Sequence, residues 1–364
     1  MKIAAIDVIS LDVPLRVAAT GETSTIANGR TNLPMLFVRI DTDDGVTGWG
    51  EAFAYHFRDA TRLILQNTVV PRLLDCDASG KTDVLEPIMR EFRNCKAGLL
   101  TYAVSAIDIA LWDIAAKRAR LPLCQLFAAD PKSSIPAYAS LVRYSNPALA
   151  VQAVDAMVKR GYRQVKLHEN ECSPVAAVRD HFGNGISIAV DASSGWSLDE
   201  ALGIARLYAS LGIDWLEEPT WPPEDYEALA HVGKVSGLRI AAGENSPNLA
   251  DFKCLCANGG ISILQPSVCK LGGVTETWRA MSMGAVAGHT VIPHVYYLGP
   301  GLLASLHLAA AFPQALPLEH AIFDLETEPF GSELCLSAGA FPVPRTHGIG
   351  PGPDPTFIAR YRQL

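Results

Sequence analysis

From about residue 135 onward, short apolar segments alternate with amphipathic helical segments, and this unit repeats eight times. Apolar segments without polar alternation are typical of parallel strands buried on both faces. Eight such units predict an α/β fold of the (β/α)-barrel type, a modified TIM barrel. An open doubly wound sheet would also alternate strands and helices, but it rarely reaches eight even units, and no GxGxxG motif follows the first strand. The predicted strands are residues 135–139, 164–168, 187–191, 214–217, 239–244, 262–266, 290–294 and 316–319.

The first third of the chain has a different order of elements. Its strand patterns, at residues 2–15, 35–41 and 46–52, precede its helical patterns, at 57–74, 83–94 and 101–118. Three strands followed by three helices indicate a separate α+β domain. The segment Ala18 to Thr31 is polar and aperiodic, which predicts a mobile loop.

Composition excludes several classes of partner. The formal net charge is −8 and no Lys/Arg cluster is present, which argues against nucleic acid. The cysteines follow no metal or disulfide spacing, so free thiols in a reducing compartment are expected. Asp7 and Asp12 interrupt the region where a signal peptide would be apolar, and the longest apolar stretch is too short to cross a bilayer. We expect a soluble cytoplasmic protein without a membrane partner.

Polar residues recur where the predicted barrel strands end. Because the carboxyl ends of parallel barrel strands meet at one face, these side chains are expected to form a ring there. Any one of them alone is better explained as structural, whereas a periodic set is not. The ring comprises Lys166, His168, Asp191, Glu217, Glu244, Ser267, His294 and Glu319.

Three carboxylates of the ring come from consecutive strands. Asp191, Glu217 and Glu244 would repel one another in a poorly solvated site unless a cation joined them. An all-oxygen site with open positions suits Mg²⁺ best. The alternative is that each carboxylate caps the following helix at its N-terminus or forms a salt bridge with it. Glu218 could replace Glu217 as the ligand, but strand alternation brings only one of the two into the ring.

Basic groups lie on two sides of this trio. Lys166 and His168 are two residues apart and therefore share one face of their strand, whereas His294 belongs to the seventh strand. A lone histidine is more often a satisfied core residue. Two titratable groups beside a bound substrate could instead act on opposite faces of one carbon atom.

Several motifs together resemble the mandelate racemase/muconate lactonizing enzyme branch of the enolase superfamily. GWGEA (48–52) and AVSAIDIALWDIAAK (103–117) look like its N-terminal capping domain. VKLH, VDAS, WLEEP, AAGE, QPSVCKLGG and IPH look like its successive barrel strands, and GIGPGPDP (348–355) is similar to its returning tail. The resemblance implies a capping domain over 1–130, a barrel over 131–322 and a C-terminal segment, 323–364, that returns to the cap.

The resemblance also implies roles for the ring. Asp191, Glu217 and Glu244 correspond to Mg²⁺ ligands, and Glu319 corresponds to the acid that hydrogen-bonds the substrate carboxylate. His294 corresponds to the general acid/base of the seventh strand. The second strand of the racemase-like pattern carries KxK. Here Lys166 keeps the first position, beside the substrate carboxylate and metal, and His168 replaces the second lysine, the opposing base.

Two positions depart from the family pattern. Ser267 stands where racemases and many sugar-acid dehydratases have an aspartate that pairs with the histidine, and where cycloisomerases and epimerases have a lysine. His294 should therefore lack an orienting carboxylate and have a less elevated pKa. Ser193 replaces the asparagine that follows the first metal ligand. Tyr138 and Ser140 of the first barrel strand, together with Ser267, are candidates for substrate contact.

The leading functional prediction is dehydration of a sugar acid to a 2-keto-3-deoxy acid. Lys166 or His168 would take the α-proton, and His294 would protonate the departing β-hydroxyl. Racemisation or epimerisation is the second possibility. Cycloisomerisation comes third, because Ser267 is not basic. The alternative from a different functional class is a non-catalytic barrel that binds carboxylates. The resemblance further implies a symmetric homo-oligomer acting on a small carboxylate.

Overall fold

The computed structural model describes residues 1–16, 31–78, 83–95, 97–314, 317–334 and 336–363. The loop predicted over residues 18–31 therefore lies, apart from Thr31, outside the described residues.

The N-terminal domain is an antiparallel sheet covered by helices, as its order of elements predicts. The strands are β1 (Ile3–Arg16), β2 (Asn32–Thr42) and β3 (Thr47–Ala52), and the helices are α1 (Arg58–Ile64), α2 (Glu86–Glu91) and α3 (Leu99–Ala119). β2 pairs with both β1 and β3. The helix predicted over 57–74 continues beyond α1 only as a π turn and a 3₁₀ turn, Leu65–Val69 and Val70–Arg72.

The larger part of the chain is a barrel of eight parallel strands, which confirms the predicted fold class. The strands follow the order β10-β9-β8-β7-β6-β5-β4-β11 around the sheet. Their bounds are β4 (Ser134–Leu141), β5 (Gln164–His168), β6 (Ser187–Asp191), β7 (Trp215–Glu217), β8 (Ile240–Ala242), β9 (Ile261–Leu264), β10 (Thr290–Val291) and β11 (Leu318–Ala321). The helices are α4 (Pro147–Lys159), α5 (Cys172–Phe182), α6 (Leu198–Ser210), α7 (Tyr226–Ser236), α8 (Leu249–Ala257), α9 (Gly273–Val286) and α10 (Pro300–Ala311).

Strands β8, β9 and β10 end earlier than predicted, for identifiable backbone reasons. Gly243 ends β8 with a φ of +117°, a value that side-chain-bearing residues rarely adopt. Pro266 and Pro293 carry no amide hydrogen for a ladder and follow the ends of β9 and β10. Glu244, Ser267 and His294 therefore lie just beyond their strands. Glu319, by contrast, is the second residue of β11 rather than its last.

Helix α3 joins the two domains. Two glycines of β3 allow it to pack directly on the strand: a Cβ at Gly50 would stand 1.8 Å from the Ala106 carbonyl oxygen, and one at Gly48 would stand 2.3 Å from that of Ala110. Among the described residues, α3 is the one helix long and apolar enough to cross a membrane, but its most apolar 18-residue window is 78% buried inside the protein. That burial identifies it as a core helix.

Two buried aspartates of α3 connect it to other parts of the chain. Asp108 accepts hydrogen bonds from the amide and the hydroxyl of Thr275, at the start of α9, at 3.0 and 2.8 Å. Asp113 accepts from the amides of Trp49 and Ile349, both at 2.9 Å, and from Lys117 Nζ at 2.7 Å. The cap sheet, the barrel and the C-terminal segment are thus tied to one helix.

The C-terminal segment returns to the cap sheet. β12 (Asp324–Leu325) pairs antiparallel with β1, and β13 (Ala340–Pro342) pairs with the start of β4. After α11 (Pro355–Tyr361), the guanidinium of Arg362 binds both carboxylate oxygens of Asp7, at 2.7 and 2.9 Å. The last described residues therefore lie against the first strand.

Asp113→Asn should lower the free energy of unfolding by about 3 kcal/mol, because it leaves buried donors unpaired and removes the anion beside Lys117. Urea titration followed by tryptophan fluorescence measures the change. Asp155→Asn is the matched control, since Asp155 pairs with Lys159 at the same helical spacing but on the surface. That variant should lose less than about 0.5 kcal/mol. Equal losses in the two variants would contradict the role given to Asp113.

Candidate active site

The three predicted carboxylates converge at the carboxyl ends of neighbouring strands. Asp191 and Glu217 are the last residues of β6 and β7 and lie opposite one another in register. Glu244 follows β8 by two residues. Each offers a carboxylate oxygen, and the three oxygens lie within 4.8 Å of one another. The trio therefore has the size and the chemistry of a divalent-cation site.

Lys166 occupies the centre of the anionic cluster. Its Nζ lies 2.8 Å from Glu217 Oε1, 2.7 Å from Glu319 Oε1 and 3.5 Å from Asp191 Oδ2. Burial alone would lower the pKa of Lys166, but the carboxylates of Glu217 and Glu319 raise it well above its ordinary value. Lys166 thus places a positive charge among the carboxylates.

The cluster retains more negative charge than one lysine balances. Burial, despite Lys166, raises the pKa of Glu217 well above its usual range, and Asp191 and Glu244 add to that rise. Such crowding is relieved when a hard divalent cation shares the carboxylates. The donors are all oxygen atoms of carboxylates, as Mg²⁺ prefers, so these residues fit that ion.

Side chains around the trio hold the ligands in place. Gln265 Nε2 donates to Glu217 Oε2 at 2.7 Å, and the amide of Ser193 donates to Asp191 Oδ1, also at 2.7 Å. The Gln265 contact was not predicted, although the residue stands in the QPS motif that marks the sixth strand. Glu218 lies outside the trio and accepts instead from Asn245 Nδ2 at 2.8 Å. Its neighbour Glu217 is thus the member of the pair whose oxygen joins the trio.

His168 presents one ring nitrogen to the trio. Its Nδ1 lies 2.6 Å from the carbonyl oxygen of Leu141, which can only accept, so Nδ1 carries a hydrogen. The other nitrogen, Nε2, lies 3.0 Å from Asp191 Oδ2. Burial opposes protonation, but the Asp191 carboxylate raises the pKa of His168 above its ordinary value. Nε2 is therefore the atom that exchanges a proton with the cavity.

His294 faces the same centre from another direction. Its Nε2 lies 3.1 Å from Glu244 Oε2, and its Nδ1 lies 3.1 Å from the hydroxyl of Ser267. Burial lowers the pKa of His294 to about 4, against the opposing effect of Glu244. The ring of Tyr296 approaches both histidines, with centroid distances of 5.9 Å to His168 and 6.4 Å to His294.

Glu319 forms part of the buried floor of the site. Its Oε1 binds Lys166, and its Oε2 accepts the amide hydrogen of Val295 at 2.7 Å. The side chain is fully buried. Lys166 lowers the pKa of Glu319 despite its burial, so the carboxylate stays charged beside the lysine.

The three candidate substrate contacts are buried beside the site. Tyr138 is fully buried and packs edge-on against Trp215 in the barrel interior, at a centroid distance of 5.5 Å. Ser140 is also buried, two residues further along the same strand. Ser267 lies behind His294, where its hydroxyl contacts the ring rather than the cavity. None of the three lines the cavity above the trio.

That cavity measures about 630 Å³ and opens between the cap and the barrel. Aromatic rings of the cap line it, together with Trp221 from the loop after β7, which is 71% exposed. Lys270 lies beneath, 3.2 Å from Glu244 Oε1 and over the ring of Phe53. Sequence patterns gave no sign of this aromatic mouth, because Tyr102 and Trp221 are distant in the chain from the other members. The cap aromatics are Phe53, Tyr55, Phe57 and Tyr102.

Comparison with known proteins agrees with this architecture. The family model "Enolase C-terminal domain-like" matches residues 148–356, and "Mandelate racemase / muconate lactonizing enzyme, N-terminal domain" matches residues 4–128. The 3,6-anhydro-alpha-L-galactonate cycloisomerase of Streptomyces coelicolor is 30% identical over 360 residues, 94% of each chain. The arabinonate dehydratase of Saccharolobus solfataricus is 29% identical, over 88% of this chain and 89% of the relative.

Solved structures show the same arrangement of domains. A racemase from Streptomyces coelicolor with bound magnesium superposes with a TM-score of 0.87 at 25% identity, over 99% of this chain and 100% of the other. The L-talarate dehydratase of Polaromonas, complexed with Mg and L-glucarate, gives a TM-score of 0.83 at 25% identity, over 100% and 98%.

Glu217→Gln should weaken Mn²⁺ binding by about a hundredfold, or about 2.7 kcal/mol, because it removes one of three ligand charges. Titration calorimetry or electron paramagnetic resonance measures the affinity. Glu218→Gln, at the neighbouring position, is the control and should change the affinity by less than about fivefold, or 1 kcal/mol. A larger loss in Glu218→Gln than in Glu217→Gln would assign the ligand to the other residue.

Proposed function

The chain belongs to the mandelate racemase/muconate lactonizing enzyme family of the enolase superfamily, and on that basis we propose that it dehydrates a sugar acid to a 2-keto-3-deoxy acid. The proposal depends chiefly on two histidines of unlike environment, His168 and His294, placed 3.0 and 3.1 Å from different members of the carboxylate trio. Asp191, Glu217 and Glu244 would hold Mg²⁺. When bound, the ion would stabilise the charge that develops on a substrate carboxylate.

Lys166 supplies a second positive charge for the same purpose. Removal of an α-proton turns a carboxylate into an unstable dianion, which needs fixed donors at its oxygens. Lys166 is a buried cation that the surrounding carboxylates keep protonated, and Glu319 holds it from the far side at 2.7 Å. His168 lines the cavity above the carboxylate trio whereas Lys166 is buried beneath it, so we assign the role of base to His168.

The two histidines divide the proton transfers. His168 Nε2 takes the α-proton while its Nδ1–H stays bound to the Leu141 carbonyl oxygen. The electron pair of the broken C–H bond forms the carbon–carbon double bond, and the β C–O bond breaks. His294, in its protonated form, gives its Nε2 proton to the departing hydroxyl, which leaves as water, and the ring is left neutral. The resulting enol rearranges to the 2-keto-3-deoxy acid.

Ring opening of an anhydro sugar acid is the second candidate, favoured by the 30% identity to a 3,6-anhydrogalactonate cycloisomerase. A 3,6-anhydro acid carries its ether oxygen on the carbon β to the carboxylate. Loss of the α-proton with cleavage of that C–O bond is the same elimination, except that the leaving oxygen remains attached to the product. The proposed roles of His168 and His294 do not change.

A panel of aldonic, aldaric and 3,6-anhydro acids tests the proposal, with purified protein and Mg²⁺ in D₂O. We expect at least one acid to give a 2-keto-3-deoxy product, detected by its reaction with semicarbazide and by NMR. Products from the anhydro acids alone would select the second candidate. Exchange of the α-proton without any elimination, across the whole panel, would instead assign a racemase or epimerase.

Substitution of each histidine should separate the two proton transfers. His168→Asn should abolish both α-deuterium exchange and product formation, because no base remains at that face. His294→Asn should keep exchange but reduce elimination by about 10²–10⁴-fold, the usual contribution of a general acid. NMR of recovered substrate measures exchange, and the keto-acid assay measures elimination. Loss of exchange in His294→Asn alone would reverse the two roles.

The proposal also covers the cellular compartment and the assembly of the enzyme. The seven cysteines in the described part of the chain are free, as a reducing compartment allows. We therefore propose a cytoplasmic enzyme of small-molecule metabolism. Its assembly as a homo-oligomer stays a prediction from the resemblance.

A further inference from the structure

The cavity wall carries a basic side chain to which the proposed elimination gives no role. Arg143 follows the end of β4 by two residues and lines the cavity, where it is partly exposed. Among the described lining residues, Lys270 is the other lysine or arginine, and its ammonium is already bound to Glu244 at 3.2 Å and to Asn245 Oδ1 at 3.0 Å. Arg143 is therefore the permanent cation of this wall that remains to be explained.

The guanidinium of Arg143 is held by one of its edges. Its Nε donates to the carbonyl oxygen of His168 at 3.3 Å, and its Nη2 donates to Asn170 Oδ1 at 3.1 Å. Both acceptors are neutral. A guanidinium carries five N–H donors in a rigid planar fork, so three donors remain at the end formed by Nη1 and Nη2. None of these three has an acceptor among the described residues.

The surroundings of Arg143 fix its position before any ligand binds. The buried carboxylate of Glu169 accepts the amides of the two residues that follow Arg143, at 2.9 and 3.2 Å. Gly195 leaves room for the Asn170 amide, since a Cβ at Gly195 would stand 2.6 Å from Asn170 Nδ2. A group that is ordered in advance loses less conformational freedom when a ligand binds. Joining the two loops uses only the first edge of the guanidinium, and the end of the fork is left for a ligand.

We propose that Arg143 determines specificity by binding a second carboxylate at the far end of the substrate, which is then an aldaric acid with a carboxylate at each end. Two carboxylate oxygens match the end of a guanidinium fork, whereas the terminal hydroxyl of an aldonic acid offers one neutral oxygen. His168 connects the two positions, because its carbonyl oxygen binds Arg143 and its Nε2 lies 3.0 Å from Asp191 Oδ2. The assignment rests on the proposed function, which places the first carboxylate at the cation and Lys166.

Binding of matched acids tests the proposal without turnover. Each pair, such as galactarate and galactonate, differs only in whether the far carbon is a carboxylate or a CH₂OH group, and pairs are taken from every hexose configuration. Calorimetry uses the Mg²⁺-loaded His168→Asn variant, which lacks the proposed base but keeps the backbone carbonyl that holds Arg143. We expect a diacid to bind about 10–100-fold more tightly than its matched monoacid. Adding Arg143→Gln should weaken the diacid alone and remove most of that preference.

Two further variants separate recognition from the joining of loops. Arg179 uses the same edge, Nε and Nη2, to bind the carbonyl oxygens of Leu211 and Gly212 at 2.8 and 2.9 Å, but it lies outside the cavity lining. Arg179→Gln should therefore leave the preference unchanged. Arg143→Lys keeps the charge without the fork and should retain only part of the preference. Equal weakening of both acids in Arg143→Gln, equal affinity within every pair when Arg143 is present, or no binding of any diacid would overturn the proposal.

Kinetics with His168 restored distinguish this proposal from the proposed reaction. Arg143→Gln should raise KM for the diacid by about 10–100-fold, with a smaller change in kcat. A bound diacid that shows the expected preference but gives neither product nor α-proton exchange would overturn the proposed reaction and leave the role of Arg143 intact. Elimination from monoacids without any preference for diacids would overturn the role of Arg143 alone.

Discussion

The site depends on the balance of one buried lysine against the carboxylates that surround it. Lys166 Nζ lies within 3.5 Å of carboxylate oxygens from three different strands. Burying several like charges together is unfavourable unless opposite charge lies among them. The lysine supplies part of that charge, and the remaining deficit is what makes the trio of Asp191, Glu217 and Glu244 a cation site. Lys166 and the cation site, the two positive groups of the proposed reaction, thus follow from one electrostatic constraint.

The barrel and the cap supply different parts of this chemistry. Parallel strands in register bring residues such as Asp191 and Glu217 to one level, with backbone hydrogen bonds fixing their separation. The cap contributes aromatic rings to the cavity mouth, and α3 fixes its position through Asp108 and Asp113. Chemistry is therefore built on rigid strand ends, while the wall facing the rest of a substrate comes from another domain.

Much of the site followed from the spacing of polar residues in the sequence, and the exceptions share a cause. Asp191, Glu217 and Glu244 were predicted as one group, and the structure brings their oxygens together. Ser267 was expected to touch substrate because it occupies a ring position, yet its hydroxyl contacts His294 Nδ1. Tyr138 was also expected to touch substrate, and its ring packs against Trp215. Periodicity gives the strand and the level of a residue but not the direction of its side-chain atoms.

By itself the sequence determined the eight-strand alternation, the α+β character of the first third and the three acidic residues that could share a cation. These are properties of local pattern, set by burial of strands on both faces and by one polar residue near the end of each unit. Only the tertiary structure decided that Lys166 places its charge among the carboxylates, that His168 and His294 have unlike partners behind their rings, and that distant aromatic residues meet at the cavity mouth. Protonation and hydrogen bonding depend on neighbours within a few ångströms, and those neighbours come from segments far apart in the chain.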